Sequence, residues 1–204
     1  MTTNESFPKF DLPVDFIADD SITGDILNYY GNFPCKIKAG VFMLCTEGMV
    51  RATINLLEIV IRKNDFIVVL PNSFIQIHEV SSDTRISFAG FSSDFMLSGN
   101  YVEILLDFMP MILNSPVISL QEDVAGLYRN VYLLLIRAYT LPHSLENKEI
   151  IRSVLAIFLQ GTKELYKRYG KKLDEPLRRE QELYRQFIHC LLYTSPSPRD
   201  STSS

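Results

Sequence analysis

The chain of 204 residues has no tryptophan, three cysteines, three histidines and nine glycines. Each scarcity closes off a kind of chemistry. His78, His143 and His189 stand far apart, and no HxH, HExxH or CxxC pattern occurs, so no metal cofactor is expected. Gly24 and Gly31 are isolated, and GxGxxG, P-loop and GxSxG patterns are all missing. Serine, histidine and aspartate occur without the arrangement of a catalytic triad. Cys35 and Cys45 lack finger spacing and read as free thiols, while Cys190 belongs to an atypical tail. Positive charge is short as well. Twenty Lys and Arg against 24 Asp and Glu leave a net charge of −4, which argues against this chain gripping a phosphate backbone by itself. The longest apolar run, residues 131–136 with Tyr132 inside it, is far below the roughly 20 residues a membrane helix needs. Met1-Thr2-Thr3-Asn4-Glu5 lacks the basic start and apolar run of a signal peptide. A cytoplasmic protein, with no membrane partner and no enzyme activity, is the expectation.

Hydrophobic residues make up 47% and charged residues 22%, enough to build one large domain or a smaller one with a helical extension. Their spacing divides the chain. Residues 26–93 are strand-like and residues 100–189 helical, an order that points to an α+β fold. Residues 36–46 read as one strand closed by Glu47-Gly48. Val50, Ala52 and Ile54 alternate with Arg51, Thr53 and Asn55, the mark of a strand with one buried face. Leu57, Ile59 and Ile61 repeat the pattern, and Lys63-Asn64-Asp65 supplies a turn. Residues 66–70 form a continuous apolar strand stopped by Pro71-Asn72. Residues 74–80 and 85–91 form a further pair. Many short strands with polar turns indicate a sandwich or barrel.

Helix signals follow. Asn100-Tyr101-Val102-Glu103 and Ser119-Leu120-Gln121-Glu122 read as capping boxes. The second opens a helix reaching about residue 141. The next spans about residues 145–169, with Ile151, Leu155, Phe158, Leu159, Thr162 and Tyr166 on one face. A last helix begins near Asp174-Glu175-Pro176 and places Leu183, Phe187 and Ile188 on one side. From Cys190 the character changes. One back-translation of residues 190–200 resembles a transposase sequencing adapter read in frame. The natural chain is therefore expected to be interrupted near His189, and residues 190–204 are set aside from fold reasoning.

His78 is the best polar candidate for a ligand contact. Period two puts Phe74, Gln76 and His78 on one strand face and Ile75, Ile77 and Glu79 on the other. With the first face inward, Gln76 and His78 would offer hydrogen bonds among apolar walls, as small-molecule pockets do. With the second face inward, His78 is solvated or satisfied by a neighbour. Further candidate walls are Phe42, Leu44, Thr53 and Phe88, with Arg85 or Lys38 for a negatively charged ligand. The apolar face formed by Ile151, Leu155, Phe158 and Leu159 suits either a dimer contact or packing on the chain's own strands.

A turn-rich β-barrel, a following helix pair, and then Leu177-Arg178-Arg179-Glu180-Gln181-Glu182-Leu183-Tyr184-Arg185-Gln186-Phe187-Ile188 together resemble the N-terminal half of AraC/XylS-type bacterial transcription regulators. The turns Cys45-Thr46-Glu47-Gly48, Lys63-Asn64-Asp65 and Leu70-Pro71-Asn72-Ser73 resemble the cupin-barrel turns of such regulators. The resemblance covers about residues 7–189. It implies a cupin-like β-barrel sensor over residues 1–95 and a helical dimerisation region over 96–172. The start of a DNA-binding module would follow over 173–189, and adapter-derived sequence over 190–204. It implies an unknown small-molecule effector and a homodimer. Promoter DNA would be bound only through two helix-turn-helix units that this sequence does not contain. The alternatives are a stand-alone small-molecule-binding cupin domain and a cupin-like enzyme. The latter needs a metal triad that His78 alone cannot supply.

Overall fold

A computed structural model of the chain describes residues 9–10, 12, 14–29, 31, 33–97, 101–140 and 148–170, together with Arg179, Leu183 and Gln186. Those last three are helical and exposed; the remainder of the expected final helix and residues 190–204 lie outside the described residues.

Up to Tyr169 the described residues form, in order, β1 (Lys9–Phe10), β2 (Phe16–Thr23), α1 (Gly24–Tyr29), β3 (Cys35–Ile37), β4 (Gly40–Glu47), β5 (Met49–Ile54), β6 (Leu57–Arg62), β7 (Asp65–Val69), β8 (Ser73–Val80), β9 (Arg85–Phe91), α2 (Ser93–Leu97), α3 (Tyr101–Asn114), β10 (Val117–Ser119), α4 (Glu122–Thr140) and α5 (Lys148–Tyr169). The fold is α+β, as the periodicity indicates. The expected barrel takes the form of two five-stranded sheets. The outer sheet runs β1-β3-β8-β5-β6 and the central sheet β10-β7-β4-β9-β2. Pairing is antiparallel throughout except between β1 and β3.

Three layers result. Val50, Ala52, Ile54 and Ile61 of the outer sheet share one apolar core with Val41, Cys45, Ile67, Val69 and Ile86 of the central sheet. The other face of the central sheet presents Phe42, Leu44, Phe66, Val68 and Phe91 to α3, α4 and α5 in a second core. This explains the unbroken apolar run Phe66-Ile67-Val68-Val69-Leu70 that begins at the second residue of β7, every member of which is buried. A strand in the middle layer has no polar face to show. β5 and β6 keep their alternation because the outer sheet meets solvent on one side.

The expected strand over residues 36–46 is two strands that belong to different sheets. The chain changes sheet at Lys38-Ala39, where Lys38 N–H donates to the Phe10 carbonyl and the Lys38 carbonyl accepts from Ser93 Oγ. Gly40 opens the new strand beneath Met96; a Cβ at Gly40 would fall 2.2 Å from the Met96 sulfur. The turn between β5 and β6 places Asn55 (φ 47°) and Leu56 (φ 71°) in the left-handed region, as two-residue hairpins require. Asn55 Oδ1 accepts from Phe74 N–H at 2.9 Å and Asn55 Nδ2 donates to Ser73 Oγ at 3.0 Å, tying this turn to β8.

The Ser119/Glu122 capping box does not form. Ser119 Oγ instead donates to Asp65 Oδ1 at 2.6 Å, and Glu122 is engaged across the fold. The α4 amides are met by Asp123 Oδ1, which accepts from Val124 N–H at 2.8 Å, and by the Gln121 carbonyl, which accepts from Ala125 N–H. Tertiary partners outcompeted the local cap.

Candidate functional site

The residues singled out from the sequence fall into three places. Phe42 and Leu44 point from β4 toward the helices. There Phe42 meets Phe158 of α5 edge-on at 4.9 Å between ring centroids. Leu155, Phe158 and Leu159 are buried in that same core, so the apolar face of α5 packs on its own central sheet and is not exposed for a second chain. The side chain of Ile151 lies outside the described residues. Phe88 occupies the space between the two sheets.

Thr53, Gln76 and His78 come together on the solvent side of the outer sheet. Thr53 and Gln76 are register partners, and Thr53 Oγ1 lies 2.7 Å from His78 Nε2. Their outward direction follows from the partners of Ile75 and Ile77, which pair with Ile54 and Ala52 and pack into the inter-sheet core. Arg85 sits apart at the start of β9, 3.4 Å from Glu47 Oε2 of its register partner. The seven ligand candidates therefore do not converge on one pocket.

Around Thr53 and His78 the surface is concave. Arg51, Glu58, Ile59, Val60 and His78 line an open groove of about 350 Å³. Arg51 is held by Glu79 Oε2 at 3.4 Å, half-exposed, so its guanidinium retains donors toward the groove. A second, smaller space by Ile54, Val68, Leu70 and Ile112 measures about 10 Å³, the room of a single water. Among the described residues no group of three or more His, Cys, Asp or Glu is placed to hold a metal ion. Cys45 is not a reactive thiol. It is buried, its Sγ donates to the Glu47 carbonyl at 3.2 Å, and burial, with the Asp65 charge, pushes its pKa up to about 12.

One polar network was invisible in the sequence. The turn between β6 and β7 is fastened to the start of α4. Asn64 Nδ2 donates to Glu122 Oε2 at 2.6 Å, Arg129 donates to Asn64 Oδ1 at 3.2 Å, and Arg129 donates to Glu122 Oε1 at 2.7 Å. Leu120 N–H donates to the Asn64 carbonyl. Asn64 (φ 69°) adopts the left-handed conformation that presents both its backbone and its amide to the helix. The hydrogen bonds from Asn64 and then Arg129 hold the Glu122 carboxyl below its usual range. Separation of 58 and 65 residues along the chain hides these partners from any local pattern.

No protein-family model matches the sequence, and no curated protein matches it. Solved structures similar to this chain include the AraC-like transcriptional activator CuxR, at 12% identity and a TM-score of 0.47, covering 79% of this chain and 54% of that one. ToxT from Vibrio cholerae O395 bound to (E)-4-(8-methylnaphthalen-1-yl)but-3-enoic acid is similar at 15% identity and a TM-score of 0.39, over 93% of this chain and 63% of that one. Wild-type ToxT from Vibrio cholerae strain SCE256 bound to an unsaturated fatty acid gives 12% identity and a TM-score of 0.38, over 93% and 61%. The chain thus spans between about half and two thirds of the length of these proteins. No helix among the described residues is long and apolar enough to cross a membrane.

Proposed function

We propose that the chain is the effector-sensing and dimerisation part of a DNA-binding transcription regulator of the AraC/XylS type, acting in the cytoplasm. The observation that carries this reading is the joint between the outer sheet and the helical layer. β6 forms one wall of the groove through Glu58, Ile59 and Val60, and the turn that follows it is fastened by Asn64 to Glu122 and Arg129 of α4. A small molecule seated against Arg51, Thr53, Gln76 and His78 would displace β6, and the displacement would reach α4 through short polar contacts. The groove falls within the size range of small-molecule sites, and Arg51 with the Thr53–His78 pair suits a small polar or anionic ligand. Helix-turn-helix units joined after residue 189 would read promoter DNA.

The test joins residues 1–189 to a monomeric helix-turn-helix module in a bacterial reporter strain. Repression of a promoter with two half-sites is expected, together with a response to dialysable small molecules that R51A and H78A remove. Repression no stronger than that of the module alone, at equal protein level, overturns the reading.

A further inference from the structure

Among the described residues the two sheets end in four edge strands, β1 and β6 of the outer sheet and β10 and β2 of the central one. An open edge is a template for a further strand, and folds ordinarily blunt it. Three of the four are blunted. β1 has two residues and β10 three, too few to hold a partner. β2 is longer, but its register breaks between Asp19 and Ile22, and two adjacent aspartates stand at the break. β6 is different. Its six residues, Leu57-Glu58-Ile59-Val60-Ile61-Arg62, pair with β5 in unbroken register and include no proline, glycine or lysine. The open groove touches Glu58 and Val60 on the solvent face and also Ile59, which packs toward the inter-sheet core. Free space therefore wraps around the outer side of this strand.

Which backbone groups meet that space follows from the bonds of β5. The Met49 carbonyl accepts from Ser81 N–H, and Asn55 N–H donates to the Phe74 carbonyl, so the odd-numbered residues of β5 bond toward β8. The even-numbered ones, Val50, Ala52 and Ile54, bond toward β6, where their partners are Ile61, Ile59 and Leu57. The N–H and C=O groups of Glu58, Val60 and Arg62 are left to the edge. Arg62 agrees with this alternation: its N–H turns away from β5 and donates to Asp65 Oδ2 at 2.7 Å.

The side chains identify the occupant. Consider a second β6 laid antiparallel, with Val60 opposite Val60 on a two-fold axis. Glu58 then stands opposite Arg62 of the second copy, twice, on the solvent face. On the inward face Ile59, half-buried, meets Ile61 of the second copy. The backbone agrees. The two Val60 residues exchange N–H to C=O bonds, and each Glu58 N–H reaches the Arg62 carbonyl of the other copy. The reciprocal bond from Arg62 N–H is replaced by the one to Asp65. Other registers lose this match. A slip of one residue turns the isoleucines to water. A slip of two sets Glu58 against Val60 or Val60 against Arg62, and a slip of four sets like charges together. We propose that β6 of a second copy of this chain pairs antiparallel with β6 about Val60, joining the two outer sheets into one. Val60 and Arg62 of the second copy then wall the open side of the groove along β6. The strand edge alone carries this, so it does not depend on the regulator reading.

Amide hydrogen exchange of the whole chain, followed by NMR at two protein concentrations about 100-fold apart, tests the proposal. A six-residue strip is small for a permanent interface, so association in the micromolar range is expected. At the higher concentration the Glu58 and Val60 amides should exchange more slowly by on the order of 10-fold. Those of Ile59 and Ile61, bonded to β5, and of Arg62, bonded to Asp65, should not change. Sedimentation of charge variants gives a second readout. E58R alone and R62E alone each place like charges together and should weaken association on the order of 10-fold. Their mixture makes every cross-strand pair opposite and should form a heterodimer, which a loss of folding could not produce. V60P removes an edge N–H that the single chain does not use and should sediment as a monomer. A chain monomeric at every concentration overturns the proposal and leaves the edge to a strand of another protein. A dimer with unprotected Glu58 and Val60 amides, and no gain on mixing the charge variants, overturns it and leaves self-association to another surface. Neither readout uses promoter DNA or a small molecule, so failure here leaves the sensor reading standing.

Discussion

Replacing Phe158 by alanine separates two roles for α5. The ring is 3% exposed and is the hub of an aromatic cluster, with centroids 4.9 Å from Phe42, 6.0 Å from Phe66, 5.9 Å from Tyr128 and 5.7 Å from Tyr132. Phe→Ala in a close-packed core costs about 3–5 kcal/mol, and the loss of four ring contacts places this site toward the upper end. Domains of this size hold about 5–15 kcal/mol in total, so F158A should lie near the edge of folding at 25 °C. Urea unfolding followed by circular dichroism measures it. The midpoint should fall sharply and by the same amount at protein concentrations roughly tenfold apart, because the lost contacts lie within one chain. F158L, which keeps most of the volume, should recover most of the stability. A loss below about 1 kcal/mol, or one that vanishes on dilution of both proteins, would refute the packing argument and return Phe158 to an interface.

Three further perturbations probe different parts of the fold. The Tyr132 hydroxyl is buried with no hydrogen-bond partner among the described residues, so Y132F should hold or raise stability by about 1–2 kcal/mol; a drop of similar size in urea unfolding would mean the hydroxyl has a partner after all. Leu56 stands at φ 71° and 77% exposed, a conformation that costs a side chain and gains nothing from burial, so L56G should stabilise by up to about 1 kcal/mol, and a lowered melting temperature would contradict the turn assignment. The depressed carboxyl of Glu122 contributes stability that is present above its unfolded value of 4.5 and is lost as pH falls through the lower folded one. E122Q should therefore flatten the acid limb of the urea midpoint below pH 4.5 while leaving the neutral region little changed in shape; an unaltered limb would remove the Asn64 contact from the account.

Within the described residues, strands β5 to β9 and the two long helices were legible because each carries its own periodicity. β2 was not. Its pattern is broken by Asp19-Asp20-Ser21 at a bulge, and it is stabilised by pairing with β9, some 70 residues away. β10 is three residues long and exists only as an edge laid on β7. The local spacing of Ser119 and Glu122 fits a capping box at the start of α4, yet the two side chains serve Asp65 and Asn64 instead.

By itself, then, the sequence determined which residues share a face wherever the period runs unbroken; a bulge in β8 moves Glu79 from the expected face of Ile75 and Ile77 to that of its register partner Arg51. Period two tied Thr53 to Arg51 and His78 to Gln76, and a helical period tied Leu155 to Phe158 and Leu159. Tertiary structure decided where each face points, because that depends on what lies on the far side of the layer. Ile75 and Ile77 face inward because the central sheet offers them an apolar surface, and His78 is left outside by the same choice. Phe42 and Leu44 belong to the helical core because the central sheet is covered on both sides. Alternation along a strand is a local property of the backbone, whereas the sign of that alternation is set by the neighbours that exclude water.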